Sequence, residues 1–387
     1  MVAQIPEEVK NVMTRLEAAG YQAWCVGGAV RDLLLGRTPG DWDVTTNALP
    51  EAVLELFAPR ALPTGLKHGT VTVGGGRGVE VTTFRRDGDY LDHRHPERVE
   101  FTGSLTEDLA RRDFTVNAMA MDRWGRIYDA FGGQADLDRR LLRAVGDPET
   151  RFREDALRML RALRFSAQLD FTVEGETLAA IGRCAGLARA LSAERVRDEL
   201  EKTLLSPRPE TVAEMAGLGL LTAFGLTESR DLSALAVLPA KAAVRWAGLC
   251  RAYPSLDLEA LRLPKRPAQD AMAAARIPYP GDRLGWKRLL SAEGETRGRI
   301  AAALAHQTET VEEILASGEC LWLKDLAVTG ADFPALRGPA LGRRLHALLA
   351  YVLEHPEANT RETLLHIPLD SQGSPAVEFS VNFANRS

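Results

Sequence analysis

The sequence predicts an α+β protein in which a small mixed β-sheet near the N-terminus is followed by an all-helical remainder. Three short apolar or alternating runs, at residues 23–26, 71–73 and 79–84, are typical of strands. A glycine-rich stretch at residues 74–78 separates the last two and predicts a hairpin turn. Beyond residue 170, apolar residues recur at helical spacing and the strand and turn signals are not repeated. This contrast predicts a sheet-containing head and a helical body.

The helices follow from apolar periodicity and from residues that begin or end helices. Residues 1–20 predict an amphipathic helix that ends at Gly20, and residues 50–57 predict a second helix with Pro50 in its first turn. The segment 85–98 is too polar to bury and predicts a mobile loop. Later in the chain, helical spacing is found in four further segments: 211–221, 240–253, 299–317 and 341–353. The proline-rich stretch 254–280 predicts a boundary, and residues 370–387 lack periodicity, which is typical of a disordered end.

Composition is typical of a globular protein of the reducing cytoplasm. The 387 residues are 45% hydrophobic and 26% charged, and the length favours roughly two or three domains. The four cysteines lie far apart with no CxxC pair, which argues against a disulfide scaffold or a zinc ribbon. The first ten residues are polar, and no apolar run approaches the ~18 residues of a membrane span. We therefore expect a cytoplasmic location and no membrane segment. The net charge of −5 does not by itself indicate a nucleic-acid partner.

The most informative stretch is GGAVRD at residues 27–32, followed by DWD at residues 41–43. Two glycines after a buried strand let the backbone approach a ligand and offer N–H groups to phosphate. On a strand, Asp41 and Asp43 share one face. Alone, such a pair is more often two solvated carboxylates. Combined with the glycine pair, it favours Mg²⁺ held by Asp41 and Asp43 for metal-assisted phosphoryl transfer.

Two further candidates depend on where other strands lie. Glu80 alternates with apolar neighbours, so it becomes a third active-site carboxylate if its strand lies beside that of Asp43. The alternative is an ordinary polar strand face. Arg112, in the stretch 111–118, suits bidentate contacts to phosphate or ribose oxygens, although two adjacent arginines are a weak signal alone.

Residues 151–169 predict a helix with one apolar and one charged side. The apolar stripe comprises Ala156, Met159, Leu160, Leu163 and Ala167. The opposite side carries Asp155, Arg158, Arg161 and Arg164. One interpretation is a solvated helix face. The other is a site that binds an anion and presents a carboxylate and guanidinium groups to a base edge.

Taken together, these motifs resemble the bacterial class II tRNA nucleotidyltransferases, the CCA-adding enzymes of the DNA polymerase beta superfamily. The match lies in four segments in the family's order: GGAVRDLLLGRTPGDWDVTT from residue 27, ARRDFTVNAMAMD from 110, REDALRMLRALRF from 153 and SAERVRDELEKTLL from 192. A weaker likeness extends over residues 326–365. The resemblance implies a nucleotidyltransferase head (1–146), a helical neck that recognises the base (147–205), a body (206–255) and a tRNA-binding tail (256–387).

The resemblance also implies residue roles. Asp41 and Asp43 would bind Mg²⁺; Glu80 stays a candidate catalytic carboxylate on the strand pattern alone. The nucleotide-binding residues would be Gly27, Gly28, Arg31, Arg112, Asp113, Asn117, Asp155, Arg158, Arg161 and Arg164. Among them, Gly28 and Arg31 would contact the triphosphate. Asp155 and Arg158 would pair with the incoming C or A.

The implied activity is addition of C, C and A to the 3′ end of tRNA from CTP and ATP, without a nucleic-acid template. No membrane and no obligate protein partner are expected. Addition of the terminal A alone is left open, although the loop at residues 85–96 has the full length found in enzymes that add A. A poly(A) polymerase is less well matched, because residues 65–71 have the tRNA-enzyme form GLKHGTV. A non-catalytic RNA-binding protein is disfavoured by the intact Asp41, Asp43 and Arg112.

Overall fold

The computed structural model describes residues 5–75, 78–87 and 99–368. Internal contacts divide the chain into two compact units, Met1–Ala236 with Ser255–Leu263, and Val237–Pro254 with Pro264–Ser387. The predicted boundary at residues 255–256 does not coincide with this division, because the segment 255–263 returns to the first unit. There the Asp257 N–H donates to the Phe224 carbonyl at 3.1 Å. The predicted division into head, neck, body and tail remains a prediction, and the end at residues 370–387 lies outside the described residues.

The first unit contains the strands. In chain order they are β1 (Ala23–Val26), β2 (Asp43–Thr46), β3 (Ala61–Gly65), β4 (Thr70–Val73), β5 (Val79–Thr83), β6 (Arg85–Asp87), β7 (Val99–Phe101), β8 (Ala120–Met121), β9 (Ile127–Tyr128), β10 (Leu141–Leu142) and β11 (Thr172–Val173). Seven of them form one sheet in the order β3-β4-β5-β2-β1-β8-β9. Its pairs are antiparallel except for β2 and β5, which run parallel. The sheet is therefore mixed, as predicted.

The helices lie between the strands and beyond them. They are α1 (Glu7–Ala18), α2 (Gly28–Leu34), α3 (Pro50–Phe57), α4 (Leu105–Ala110), α5 (Gly133–Asp138), α6 (Pro148–Glu154), α7 (Leu157–Leu169), α8 (Gly175–Cys184), α9 (Ala193–Leu204), α10 (Thr211–Gly217), α11 (Ser233–Val237), α12 (Ala242–Ala252), α13 (Lys265–Arg276), α14 (Arg283–Leu304), α15 (Thr308–Ala316), α16 (Gly338–Glu354) and α17 (Arg361–His366). Beyond β11, the described residues contain helices and no strand. The predicted α+β class is confirmed. None of the helices in the described ranges is long and apolar enough to span a membrane.

Apolar side chains explain which faces of these elements are covered. In α1, Val9, Val12, Met13 and Leu16 are buried, as their spacing predicts. The second unit has its own core, in which Trp286 and Leu290 of α14 pack with Leu348 and Val352 of α16. Burial of such side chains contributes roughly 1.5–3 kcal/mol each. Each unit thus has an apolar core of its own.

Three predicted elements differ from the structure. The predicted helix at 299–317 is two helices, because the chain leaves α14 at Ala305 and begins α15 at Thr308. The predicted loop at 85–98 begins as strand β6, which pairs antiparallel with β7, and residues 88–98 lie outside the described ranges. The predicted helix at 151–169 is broken at Asp155, whose φ of −139° and ψ of 104° are extended. Periodicity alone did not reveal this break.

Candidate active site

The glycine pair forms the turn between β1 and α2. Gly27 has φ of 73° and ψ of −138°, a conformation that L side chains rarely adopt, and α2 begins at Gly28. A Cβ atom at Gly27 would lie 3.1 Å from Nη1 of Arg112 and 3.7 Å from Oδ2 of Asp43. The absence of a side chain therefore lets the turn lie against both groups. Its place before a helix N-terminus suits a phosphate group.

Two of the three predicted carboxylates, Asp43 and Glu80, lie on adjacent strands. Asp43 begins β2, and its partner in parallel β5 is Glu80, so the condition set for Glu80 is met. Asp41 precedes β2 and is exposed, so it does not lie on the strand as predicted. Burial raises the pKa of Asp43; Arg112 opposes this, while the Glu80 and Asp41 carboxylates raise the pKa further. Glu80 and Asp41 therefore both lie close enough to Asp43 to disfavour its ionised form.

Arg112 is held beside Asp43 by a buried carboxylate, Asp108 of α4. Asp108 Oδ2 lies 3.4 Å from Arg112 Nη2 and accepts from Thr45 Oγ1 of β2 at 3.3 Å. Burial lowers the pKa of Arg112, and Asp108 opposes that effect. Its Nε atom is buried and has no hydrogen-bond partner among the described residues. A guanidinium with an unused donor beside a glycine turn suits an anionic ligand.

A chain of hydrogen bonds links Arg31 of α2 to Arg161 of α7. Arg31 Nη1 donates to Asn117 Oδ1 at 2.7 Å, and Asn117 Nδ2 donates to Asp113 Oδ1 at 3.1 Å. The other oxygen, Asp113 Oδ2, accepts from Nε and Nη2 of Arg161 at 2.8 and 2.5 Å. Four predicted nucleotide-binding residues are therefore one connected group. Asp113 and Asn117 hold the two arginines in place.

The Phe165 ring packs against the guanidinium groups of three arginines. The guanidinium carbons of Arg31, Arg161 and Arg164 lie 5.1, 5.2 and 3.8 Å from its centroid. Phe114 meets the same ring edge-on, with centroids 5.9 Å apart. Such cation–π contacts are worth about 0.5–2 kcal/mol each. Sequence reasoning did not single out Phe165, because one aromatic on an apolar helix face is normally core.

The arginines of α7 show that its charged side is not a solvated face, while the interpretation as a base-recognition site stays a prediction. Arg158 and Arg164 are buried, so this side is not a solvated face. Nor does an anion have to relieve their repulsion, because protein carboxylates pair with each arginine. Arg158 donates to Glu154 Oε2 at 2.6 Å, and Arg164 Nε lies 2.5 Å from Glu199 Oε2.

Asp155 and Arg158 do not project from successive turns of one helix, as their spacing predicted. Asp155 lies in the break between α6 and α7, where its Oδ1 accepts from the Leu157 N–H at 3.0 Å. Arg158 lies in the first turn of α7, and its Nη2 donates to the Arg111 carbonyl at 2.9 Å. The extended backbone at Asp155 and the bond from the Leu157 N–H, rather than helical spacing, therefore set the direction of the Asp155 carboxylate.

The donor set suits a divalent cation that also binds a ligand. Within 5–75, 78–87 and 99–368, no group of three His, Cys, Asp or Glu side chains is arranged to hold a metal by itself. Asp41 and Asp43 nevertheless supply carboxylate oxygens beside a cationic anion site. Mg²⁺ is usually held by one or two carboxylates together with substrate phosphates. The residues present therefore fit Mg²⁺ and do not form a closed metal cage.

Asp108 and Arg195 were missed by sequence reasoning. Asp108 precedes Arg111 and Arg112 by three and four residues, which is the spacing of ion pairs at a helix end, and this was the available signal. Arg195 of α9 donates from Nη2 to Asp155 Oδ2 at 2.7 Å, across 40 residues of sequence. No local pattern indicates that contact.

Comparison with known proteins identifies the family. The chain is 40% identical to a CCA-adding enzyme of Geobacillus kaustophilus, over 92% of this chain and 95% of that protein. The chain belongs to the CCA-adding enzyme family. A CCA-adding enzyme of Geobacillus thermodenitrificans is 46% identical over 74% of this chain and 76% of that protein.

Domain models and solved structures agree with this family. The Poly A polymerase head domain matches residues 23–143, and a probable RNA- and SrmB-binding site of polymerase A matches residues 170–225. The crystal structure of the Bacillus stearothermophilus CCA-adding enzyme in complex with CTP is 36% identical, with a TM-score of 0.79 over 92% of this chain and 94% of that one. A Thermotoga maritima CCA-adding enzyme complexed with tRNA shares the fold, at 18% identity and a TM-score of 0.65 over 94% of this chain and 95% of that one.

Proposed function

We propose that this protein completes the 3′ end of tRNA by adding C, C and A from CTP and ATP. The observation that carries the proposal is the parallel register of β2 and β5, which puts Asp43 beside Glu80. The Gly27 turn and Arg112 lie against the same carboxylate. Membership of the CCA-adding family supports this choice of reaction and of substrates.

In the reaction, the 3′ oxygen of tRNA forms a bond to the α-phosphorus of the nucleotide, and the bond to the β-phosphate oxygen breaks. The hydroxyl proton passes to solvent water, and pyrophosphate leaves with the bridging oxygen. We infer that Asp41 and Asp43 hold Mg²⁺, which when bound supplies Lewis-acid activation of the hydroxyl and stabilises the leaving group. Glu80 adds negative charge beside Asp43. Arg112 neutralises charge on the nucleotide phosphates or binds its ribose.

The remaining residues bind and orient the nucleotide. Gly28 and Arg31 contact the triphosphate, where Asn117 and Phe165 already fix the guanidinium of Arg31. Asp113 holds Arg161 at the side of the pocket, and Arg164 completes it. A guanidinium held in advance loses less conformational entropy when the ligand binds. These assignments follow the family motifs and are supported by the contacts above.

We assign base choice to Asp155 and Arg158. Cytosine and adenine each offer an exocyclic amine donor beside a ring-nitrogen acceptor, whereas uracil and guanine offer the reverse order. An acceptor from Asp155 and donors from Arg158 match the first order. Each wrong base would leave polar groups unpaired, at a cost of ~1–3 kcal/mol per contact.

The test supplies the protein with three tRNAs that end at the discriminator base, at C or at CC, each with one labelled nucleotide. Complete CCA addition predicts that CTP extends the first two and that ATP extends only the third. Extension of the CC-ended tRNA alone would indicate an enzyme that adds only the terminal A. A long tail from ATP would indicate a poly(A) polymerase, and binding without incorporation would indicate an RNA-binding protein.

We also infer a cytoplasmic location. All four cysteines lie in the described residues, and each is buried as a free thiol, which suits a reducing compartment. Fractionation of cells that express the tagged protein, with detection in the soluble fraction, tests this inference.

A further inference from the structure

The Asp155 carboxylate is held at both oxygens by groups outside the proposed nucleotide contacts. Oδ1 accepts from the backbone N–H of Leu157 at 3.0 Å, which anchors it to the start of α7. Oδ2 accepts from Nη2 of Arg195, in the first turn of α9, at 2.7 Å. A charge-assisted hydrogen bond of this length is among the stronger contacts of a side chain. Together the two bonds fix the plane of the carboxylate.

The bond from Arg195 leaves Asp155 able to accept a further donor. A carboxylate has about four acceptor positions on its two oxygens, and these two bonds use two of them. A base amine therefore does not have to displace Arg195. This favours a positioning role over a gate that must open before the nucleotide binds.

Attachment of α9 to α7 does not depend on this contact. Val196 and Leu200 of α9 are fully buried. Arg164 of α7 and Glu199 of α9 form an ion pair at 2.5 Å, with side chains only 9% and 5% exposed. The side chains of Arg195 and Asp155 are more exposed, at 23% and 19%. Because Val196, Leu200 and the Arg164–Glu199 pair already join the two helices, the bond from Arg195 is not needed to hold them together.

We propose that Arg195 is a positioning residue for base selection, one that orients the Asp155 carboxylate toward the exocyclic amine of C or A. The inference rests on the proposed function, because it names how that site keeps its selectivity. Without Arg195, the carboxylate keeps one anchor and can rotate about its Cβ–Cγ bond. An oxygen of Asp155 would then accept a hydrogen bond from the exocyclic amine in only a fraction of the enzyme molecules.

The decisive variant is Arg195→Ala, with Arg197→Ala as the matched control. Arg197 lies on the same helix, its side chain is 26% exposed, and it bonds to Asp198 and the Arg262 carbonyl instead. The measurement is kcat/KM for single incorporation of C, U, A and G on tRNA ending at the appropriate position. In Arg195→Ala we expect the preference for C over U, and for A over G, to fall about fivefold or more. Arg197→Ala keeps the wild-type ratios.

Two further variants separate positioning from a general structural effect. Arg195→Lys keeps a charged donor and should restore part of the selectivity. Once Asp155→Ala has removed the carboxylate, adding Arg195→Ala should change the ratios no further, because no carboxylate remains to be oriented.

Several results would overturn the inference. One such result is a wild-type preference for C over U and A over G in Arg195→Ala. A second is an equal loss of rate with all four nucleotides. A third is an Arg195→Ala change in these ratios that is just as large in the Asp155→Ala background. An Arg195→Ala protein that lacks the wild-type circular dichroism spectrum would also refute it, because the role would then be structural. Failure of the wild-type protein to incorporate any nucleotide would instead contradict the proposed function.

Discussion

Replacement of Asp113 by asparagine tests the group that links Arg31 to Arg161. Burial alone would raise the pKa of Asp113, but the Arg161 guanidinium and the Asn117 hydrogen bond lower it from 3.8 to about 2. At ~1.36 kcal/mol per pH unit, this corresponds to about 2.5 kcal/mol of stability. The side chain is only 8% exposed, so solvent screens little of this energy. In Asp113→Asn, an amide NH₂ replaces one carboxylate oxygen. It would face an N–H donor of Arg161 or Asn117, and that donor would lose its acceptor.

The sign of the pH dependence follows from the lowered pKa. The carboxylate contributes its full stability above about pH 4, and that contribution is lost as the pH falls through about 2. Asp113→Asn should therefore lower the free energy of unfolding by about 2.5 kcal/mol at pH 7 and by about half as much at pH 3.

The assay is hydrogen exchange by mass spectrometry on peptides that contain β1 and β2, because global unfolding of a chain with two units is not two-state. Asp198→Asn provides the control, since that side chain is 55% exposed and its replacement should cost no more than about 0.5 kcal/mol. A loss below about 1 kcal/mol at pH 7, or an equal loss at both pH values, would refute the reasoning.

Three further predictions concern the reaction. Asp41→Ala and Asp43→Ala should each abolish nucleotide transfer while tRNA still binds in a gel-shift assay; near-normal incorporation in Mg²⁺ would contradict the assignment. Gly27→Ala should reduce transfer at least about tenfold, because its Cβ would lie 3.1 Å from Nη1 of Arg112. In the control Gly36→Ala, φ is also positive (+68°) but no atom lies within 4 Å, so stability should fall by about 1–2 kcal/mol with transfer unchanged. Arg112→Ala should slow incorporation of all four nucleotides alike in single-turnover assays, and a changed base preference would show that Arg112 takes part in base choice.

Local sequence was sufficient to predict the fold class and the turn at Gly27. The glycine pair directly after an apolar strand permits the turn at Gly27, and the spacing of buried residues in α1 follows from helix geometry. These features depend on neighbours within a few residues, so they appear as patterns along the chain. The pairing of Glu80 with Asp43 was stated only as a condition, because alternation indicates a strand and does not identify its neighbour.

The tertiary structure decided which charges meet. The contact of Asp155 with Arg195 spans 40 residues and that of Arg161 with Asp113 spans 48. Neither distance has a periodic signal, because both depend on how separate helices pack. Packing also buried Arg158 and Arg164, which helical periodicity had placed on a charged side. The sequence by itself thus determined the elements and the kinds of chemical group present. The tertiary structure decided the partners and the burial of these charged groups and the break at Asp155. These depend on which distant segments pack together and which hydrogen bonds form between them.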